Sequence, residues 1–272
     1  MTPDGTSASA ADLRRLASNS LVTGLCNLIP VPLVDDWARD LMRQRHAMEL
    51  ARGYGVELDA VDGKALACGY RPVSAHGCFR GCLLTAIVKP TRFIIDKVFR
   101  KILRKVLFFL TIKDVVDTVS ESFHEGYLLR HALAIGALQG SGGGPPATGA
   151  PRSGWPDPEV LAVRLAIEAA CDAVDHRPVE KAIGATLRGS RRIYRQAGRA
   201  FSRLVRSKRG SGDEQEIYES LERQGEEQLG SLIDEITADL EQESSYLRRL
   251  EKIFEHRLTA LKSEPGQTHQ MS

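Results

Sequence analysis

The stretch Thr91–Ile112 (TRFIIDKVFRKILRKVLFFLTI) interleaves apolar and basic residues on a period that suits a helix and no strand. At about 100° per residue, Lys97, Arg100, Lys101, Arg104 and Lys105 share one arc. Ile95, Val98, Phe99, Ile102, Leu103, Val106, Phe109 and Leu110 share the opposite one, while Phe93, Ile94 and Phe108 stray onto the polar side. Such a helix suits an anionic membrane surface, a groove in a partner, or the wall of a core with its charged side in water. For docking, Lys97, Arg100, Lys101, Arg104 and Lys105 meet the acidic headgroups, and Phe99, Ile102, Val106 and Phe109 supply apolar contact.

The other strong periodicities are also helical, and clear strand alternation is absent, so the chain is expected to be all-α. Of its 272 residues 42% are hydrophobic, enough for a real core. The glycine, proline and serine run 139–158 (QGSGGGPPATGAPRSGWPDP) reads as a linker between two helical parts, 19–138 and 159–262. Residues 1–18 and 263–272 read as flexible tails. In the first part, Asp12–Ile29 can form a helix, Pro30 and Pro32 turn a corner, and Leu33–Arg52 forms the next helix up to Gly53 and Gly55. Residues 56–81 are punctuated by glycines and read as a loop with at most a short helix. In the second part, Pro158 starts a helix and 179–209 forms a basic helical segment that stops at Gly210-Ser211-Gly212. A long amphipathic helix then follows. Its apolar seam, with Leu229, Ile233, Ile236, Leu240, Leu247, Leu250, Phe254 and Leu261, fits either self-association as a coiled coil or packing on its own chain.

The net charge of +2 excludes a wholesale polyanion binder, so any electrostatic role depends on segregation. Arg188, Arg191, Arg192, Arg195, Arg199, Arg203 and Arg206 lie in a stretch, 187–209, without one carboxylate, and an acidic stretch follows. Dense guanidinium charge suits lipid or nucleic-acid phosphate. A helical hairpin in which the acidic helix neutralises the arginines is the competing arrangement, and it is the one expected here. Neither aromatic interleaving nor a helix-turn-helix pattern supports nucleic-acid readout.

Cys68, His76, Cys78 and Cys82 offer four zinc-type donors within fifteen residues, without the paired C-x2-C spacing of common zinc modules. Ordinary reduced thiols are the competing reading, which five scattered cysteines and the lack of a secretory leader favour in a cytoplasmic protein. His124-Glu125 with His131 has the wrong spacing for a zincin helix, and Gly140–Gly144 runs into Pro145-Pro146 where a phosphate loop needs a helix. No constellation points to a catalytic site, and no other cofactor is implied.

The segment 21–58 carries an Ile29-Pro30-Val31-Pro32 corner, Asp35, a helix ending in Leu50-Ala51, and a Tyr54-Gly55-Val56-Glu57-Leu58 exit. In these features it resembles the opening unit of the bacterial EcsC-like and YcjF-type domains. The resemblance implies a helical, membrane-associated protein on the inner face of the membrane. Arg39, Asp40, Arg43, Arg45 and His46 make this stretch more polar than such proteins tend to be.

Overall fold

The computed structural model describes residues 8–28, 34–69, 96–138, 156–208 and 214–263; side chains are described except at 96–112 and at Val34, Arg191, Arg192, Tyr194, Arg195, Arg206 and Lys208. Among the described residues the protein is all-α, with nine helices and no strand. They are α1 (Ala10–Cys26), α2 (Val34–Gly53), α3 (Ala60–Cys68), α4 (Asp96–Ala134), α5 (Pro158–Asp172), α6 (Arg177–Gly189), α7 (Arg191–Lys208), α8 (Glu214–Gln242) and α9 (Ser244–Ser263).

Local chemistry explains most boundaries. Ser9 caps α1 by accepting from the Asp12 amide at 3.2 Å while Asp12 accepts from the Ser9 amide at 3.1 Å, a reciprocal box. That box starts the helix well inside the expected tail 1–18, and Leu13, Leu16 and Ala17 are already in the core. Asp59 caps α3 through the amides of Val61 and Asp62, and Asp157 caps α5 just ahead of Pro158. The basic segment breaks at Ser190 into α6 and α7, and the long C-terminal helix breaks at Glu243 into α8 and α9.

α1 and α4 form the antiparallel axis of the bundle. Leu16 lies against Gly126, and Gly24 lets the backbones close up, since a Cβ there would run into Val119 Cγ2 and come within 3.1 Å of the Val115 carbonyl. α2, α7 and α8 also pack on α1, while α5, α6 and α9 gather around α4, with α3 bridging α2 and α5. Helices from before and after the glycine-proline run therefore share one hydrophobic core. The two expected helical parts, 19–138 and 159–262, meet in it: α1 buries its apolar face on α4 and α8 together. The linker itself, up to Trp155, lies outside the described residues.

The C-terminal seam is buried within the chain. Leu229, Ile233, Ile236, Leu240, Leu247, Leu250 and Phe254 all belong to the core, and only Leu261 is exposed. With α8 on α1 and α9 on α5, these residues cannot also line a two-chain coil.

Candidate functional site

The expected docking helix is the first part of α4. Residues 96–112 are helical and continuous with the core-forming remainder, but the side chains of Lys97, Phe99, Arg100, Lys101, Ile102, Arg104, Lys105, Val106 and Phe109 lie outside the described ones. Position can still be read from the backbone. Along the α1–α4 pair, Arg130 bonds Asp12 at 2.8 Å at one end, and Asn27 donates to Thr118 Oγ1 at 2.7 Å at the other. α1 has ended by there, whereas α4 extends from residue 115 back to 96, about 25 to 30 Å of helix.

The arginine segment is placed at the same end. Gly184 of α6 faces Val116 of α4, so Arg188 lies one turn further toward that end. α7 then crosses the end of α1, where a Cβ on Gly198 would stand 2.9 Å from Leu28 Cδ1. Arg188, Arg199 and Arg203 are exposed; the side chains of Arg191, Arg192, Arg195 and Arg206 are not described. Two acidic groups of α2, Asp35 and Asp36, also sit near this end, and Asp36 is bonded by Arg39 at 2.7 Å.

Arg188, Arg199 and Arg203, the arginines of this segment whose side chains are described, form no ion pair with the acidic helix among the described residues. α7 and α8 do pack, with Phe201 against Gly225. The stripe that packs, however, is Ala197, Phe201 and Val205, all fully buried. Arg199 and Arg203 each follow a stripe residue by two positions, about 200° around the helix, and point away from α8. Three carboxylates of α8 pair with other helices: Glu226 with Arg14, Asp234 with Arg14 at 2.8 Å, and Glu214 with Arg45 at 3.3 Å.

Of the zinc candidates, Cys68 is half-buried at the end of α3, whereas His76, Cys78 and Cys82 lie outside the described residues. Among the described residues no group of three or more His, Cys, Asp or Glu could hold a metal. Burial pushes the Cys68 thiol up to about 11, with Asp40 adding to it, and burial pushes Cys171 up to about 12. The two histidines of α4 serve packing. His124 donates from Nδ1 to the Ser120 carbonyl at 2.6 Å and accepts at Nε2 from Tyr246 at 2.7 Å. His131 reaches Glu255 at 2.8 Å, and next to it Tyr127 donates to Glu251 at 2.6 Å, so α4 is stitched to α9.

A polar centre that sequence patterns did not announce joins α2, α3, α4 and α5. Arg164 bonds Glu125 at 2.8 Å, Glu168 at 2.7 Å and the Leu66 carbonyl at 2.9 Å. Arg43 approaches Glu125 at 3.7 Å and Glu121 at 3.1 Å. Burial holds the Glu125 carboxyl above its ordinary value, with Arg164 and Arg43 opposing it. Only the i, i+4 spacing of Arg164 and Glu168 was a local signal. Every arm of Arg164 is engaged within the chain, which makes this centre a brace. An open cleft of 740 Å³ between α1 and α8, lined by Arg14, Arg15, Glu222 and Glu226 among others, is likewise occupied by its own ion pairs.

No protein-family model, curated protein or solved structure matches the chain. Among the described residues, no helix is long and apolar enough to cross a membrane.

Proposed function

We propose that the chain is a non-enzymatic accessory protein that docks peripherally on an anionic membrane surface, on the inner face of the membrane, through the basic end of its helical bundle. The observation that carries this reading is placement: two basic segments nearly a hundred residues apart in sequence, Lys97–Lys105 and Arg188–Arg199, come to the same end of one core. A basic residue near an anionic leaflet contributes about 1 kcal/mol, so five on α4 suffice to hold a protein whose apolar insertion is marginal. The polar α2 stretch fits surface contact better than insertion, because Arg43 and Arg45 are engaged in ion pairs and His46 is buried.

The test is flotation with phosphatidylcholine vesicles, with and without phosphatidylglycerol, comparing the protein with a variant in which Lys97, Arg100, Lys101, Arg104 and Lys105 are Gln. The protein floats with the anionic vesicles, and salt releases it. The variant, folded by circular dichroism, stays at the bottom. Absence of flotation, or equal flotation of the two proteins, overturns the reading.

A further inference from the structure

We infer that the arginine face of α7 is a second contact, purely electrostatic, that favours phosphomonoester headgroups in the docked membrane over phosphodiester ones. The inference rests on the docking reading above and deepens it.

Three observations lead there. First, the apolar stripe of α7, Ala197, Phe201 and Val205, is fully buried against the chain's own core, so the face that carries Arg199 and Arg203 is the opposite, charged one. Whatever the Arg199–Arg203 face binds, it binds by charge. Second, Arg188 at the end of α6 and Arg199 and Arg203 on α7 are exposed and carry no ion pair among the described residues, although the acidic α8 packs on both helices. Within the chain, Arg203 donates from Nε only to the Arg199 carbonyl, at 3.4 Å. Third, Arg199 and Arg203 stand one turn apart on the outer face, roughly 5–6 Å between Cβ atoms. Like charges so placed repel unless an anion sits between them.

The chemistry of that anion follows from the donors. Guanidinium groups present forked N–H pairs that match phosphate oxygens two at a time. A phosphomonoester carries about −1.5 to −2 charges and three terminal oxygens, enough to face both forks together. A phosphodiester has one charge and two free oxygens, and satisfies one fork. The occupant is therefore a lipid such as phosphatidic acid, lying in the same leaflet that receives α4.

Binding to phosphatidylcholine vesicles containing either phosphatidic acid or phosphatidylglycerol, at equal surface charge, tests this. The protein binds the phosphatidic acid vesicles roughly tenfold more tightly. Arg199→Gln/Arg203→Gln loses that preference while still binding phosphatidylglycerol vesicles through α4. Arg199→Lys/Arg203→Lys, which keeps the charge and loses the fork, also binds both vesicles alike. Equal binding of the unaltered protein to the two vesicles overturns the inference and leaves the docking reading standing. Failure to bind either vesicle removes both. Release from phosphatidic acid vesicles by duplex DNA at physiological salt would assign α7 to nucleic acid and overturn the lipid assignment.

Discussion

Replacing Arg164 with Met probes whether the polar centre holds four helices together. The Arg164 side chain is 9% exposed and that of Glu125 14%. The substitution keeps most of the aliphatic stem but strips three partners of their donor: Glu125, Glu168 and the Leu66 carbonyl. Glu168 is half in water and recovers. Glu125 does not, because its remaining cation, Arg43, is 3.7 Å away and shared with Glu121. Removing one partner of a buried pair costs about 3–5 kcal/mol, a large part of the roughly 5–15 kcal/mol that holds a domain folded. Urea denaturation at pH near 7.5 should show that loss, with a fall in Tm of about 10 °C. The pH dependence carries a second signature. Burial already raises the folded pKa of Glu125, and loss of Arg164 raises it further. A carboxyl whose folded pKa exceeds its unfolded one holds its proton more tightly when folded, so acidification favours the folded state. The gap between variant and unaltered protein should narrow as pH falls from about 8 to about 5. Arg164→Met/Glu125→Met should cost less than the two single changes together by about 2 kcal/mol or more. A loss below about 1 kcal/mol for Arg164→Met, or a gap that does not change with pH, would show that Glu125 is effectively solvated and the centre is no brace.

Two further outcomes concern the core. His46 is buried with neither ring nitrogen bonded among the described residues, and burial, aided by Arg15, depresses it to about 3; burial also depresses His124 to about 4. Each is neutral when folded and protonates near 6.5 when unfolded, so stability present above that pH is lost as pH falls toward the folded values, at about 1.4 kcal/mol per unit for each. Urea midpoints measured from pH 7 to 4 should fall accordingly, partly offset by Glu125 and Glu222, and His46→Leu should flatten the slope; an unchanged slope would place His46 in contact with water. On α8, a side chain at Gly225 would strike Val22 Cγ2, whereas Gly230 faces open space. Gly225→Val should destabilise by about 2–3 kcal/mol and Gly230→Ala stabilise by up to about 1 kcal/mol, both read from thermal melts; the reverse order would displace α8 from α1.

Where chain chemistry is local, it was legible. Leu33–Arg52 was expected as a helix and Val34–Gly53 is one. Pro158 marks the start of α5, and a short helix was allowed within 56–81, where α3 lies. A helix was expected from Asp12 and α1 starts at Ala10; its cap at Ser9 was not singled out because the capping box uses Asp12 where Glu or Gln is the usual partner. The break at Ser190 directly follows Gly189, a local signal that was passed over, whereas the break at Glu243 has no glycine or proline beside it. Long-range pairing had no local signal at all: Arg43, Glu125 and Arg164 meet only because α2, α4 and α5 do. The arginine segment was visible as a charge run, but that Arg199 and Arg203 point away from the acidic helix follows from which face of α7 is apolar. That fact needed the partner's position.

The same separation of faces lets docking and folding respond differently to salt. The ion pairs between α1 and α8 are solvent-exposed, with Arg14 at 40% and Asp234 at 62%, and pairs so exposed contribute little to stability. The helices are held instead by apolar stripes, such as Leu21, Val22 and Leu25 of α1 between α4 and α8, and by the buried centre around Arg164, which salt screens poorly. At the basic end Arg188, Arg199 and Arg203 are exposed, and in the proposed docking their attraction to an anionic surface decays within about 8 Å at physiological ionic strength. If the proposed docking holds, raising salt should therefore weaken the contact without loosening the bundle.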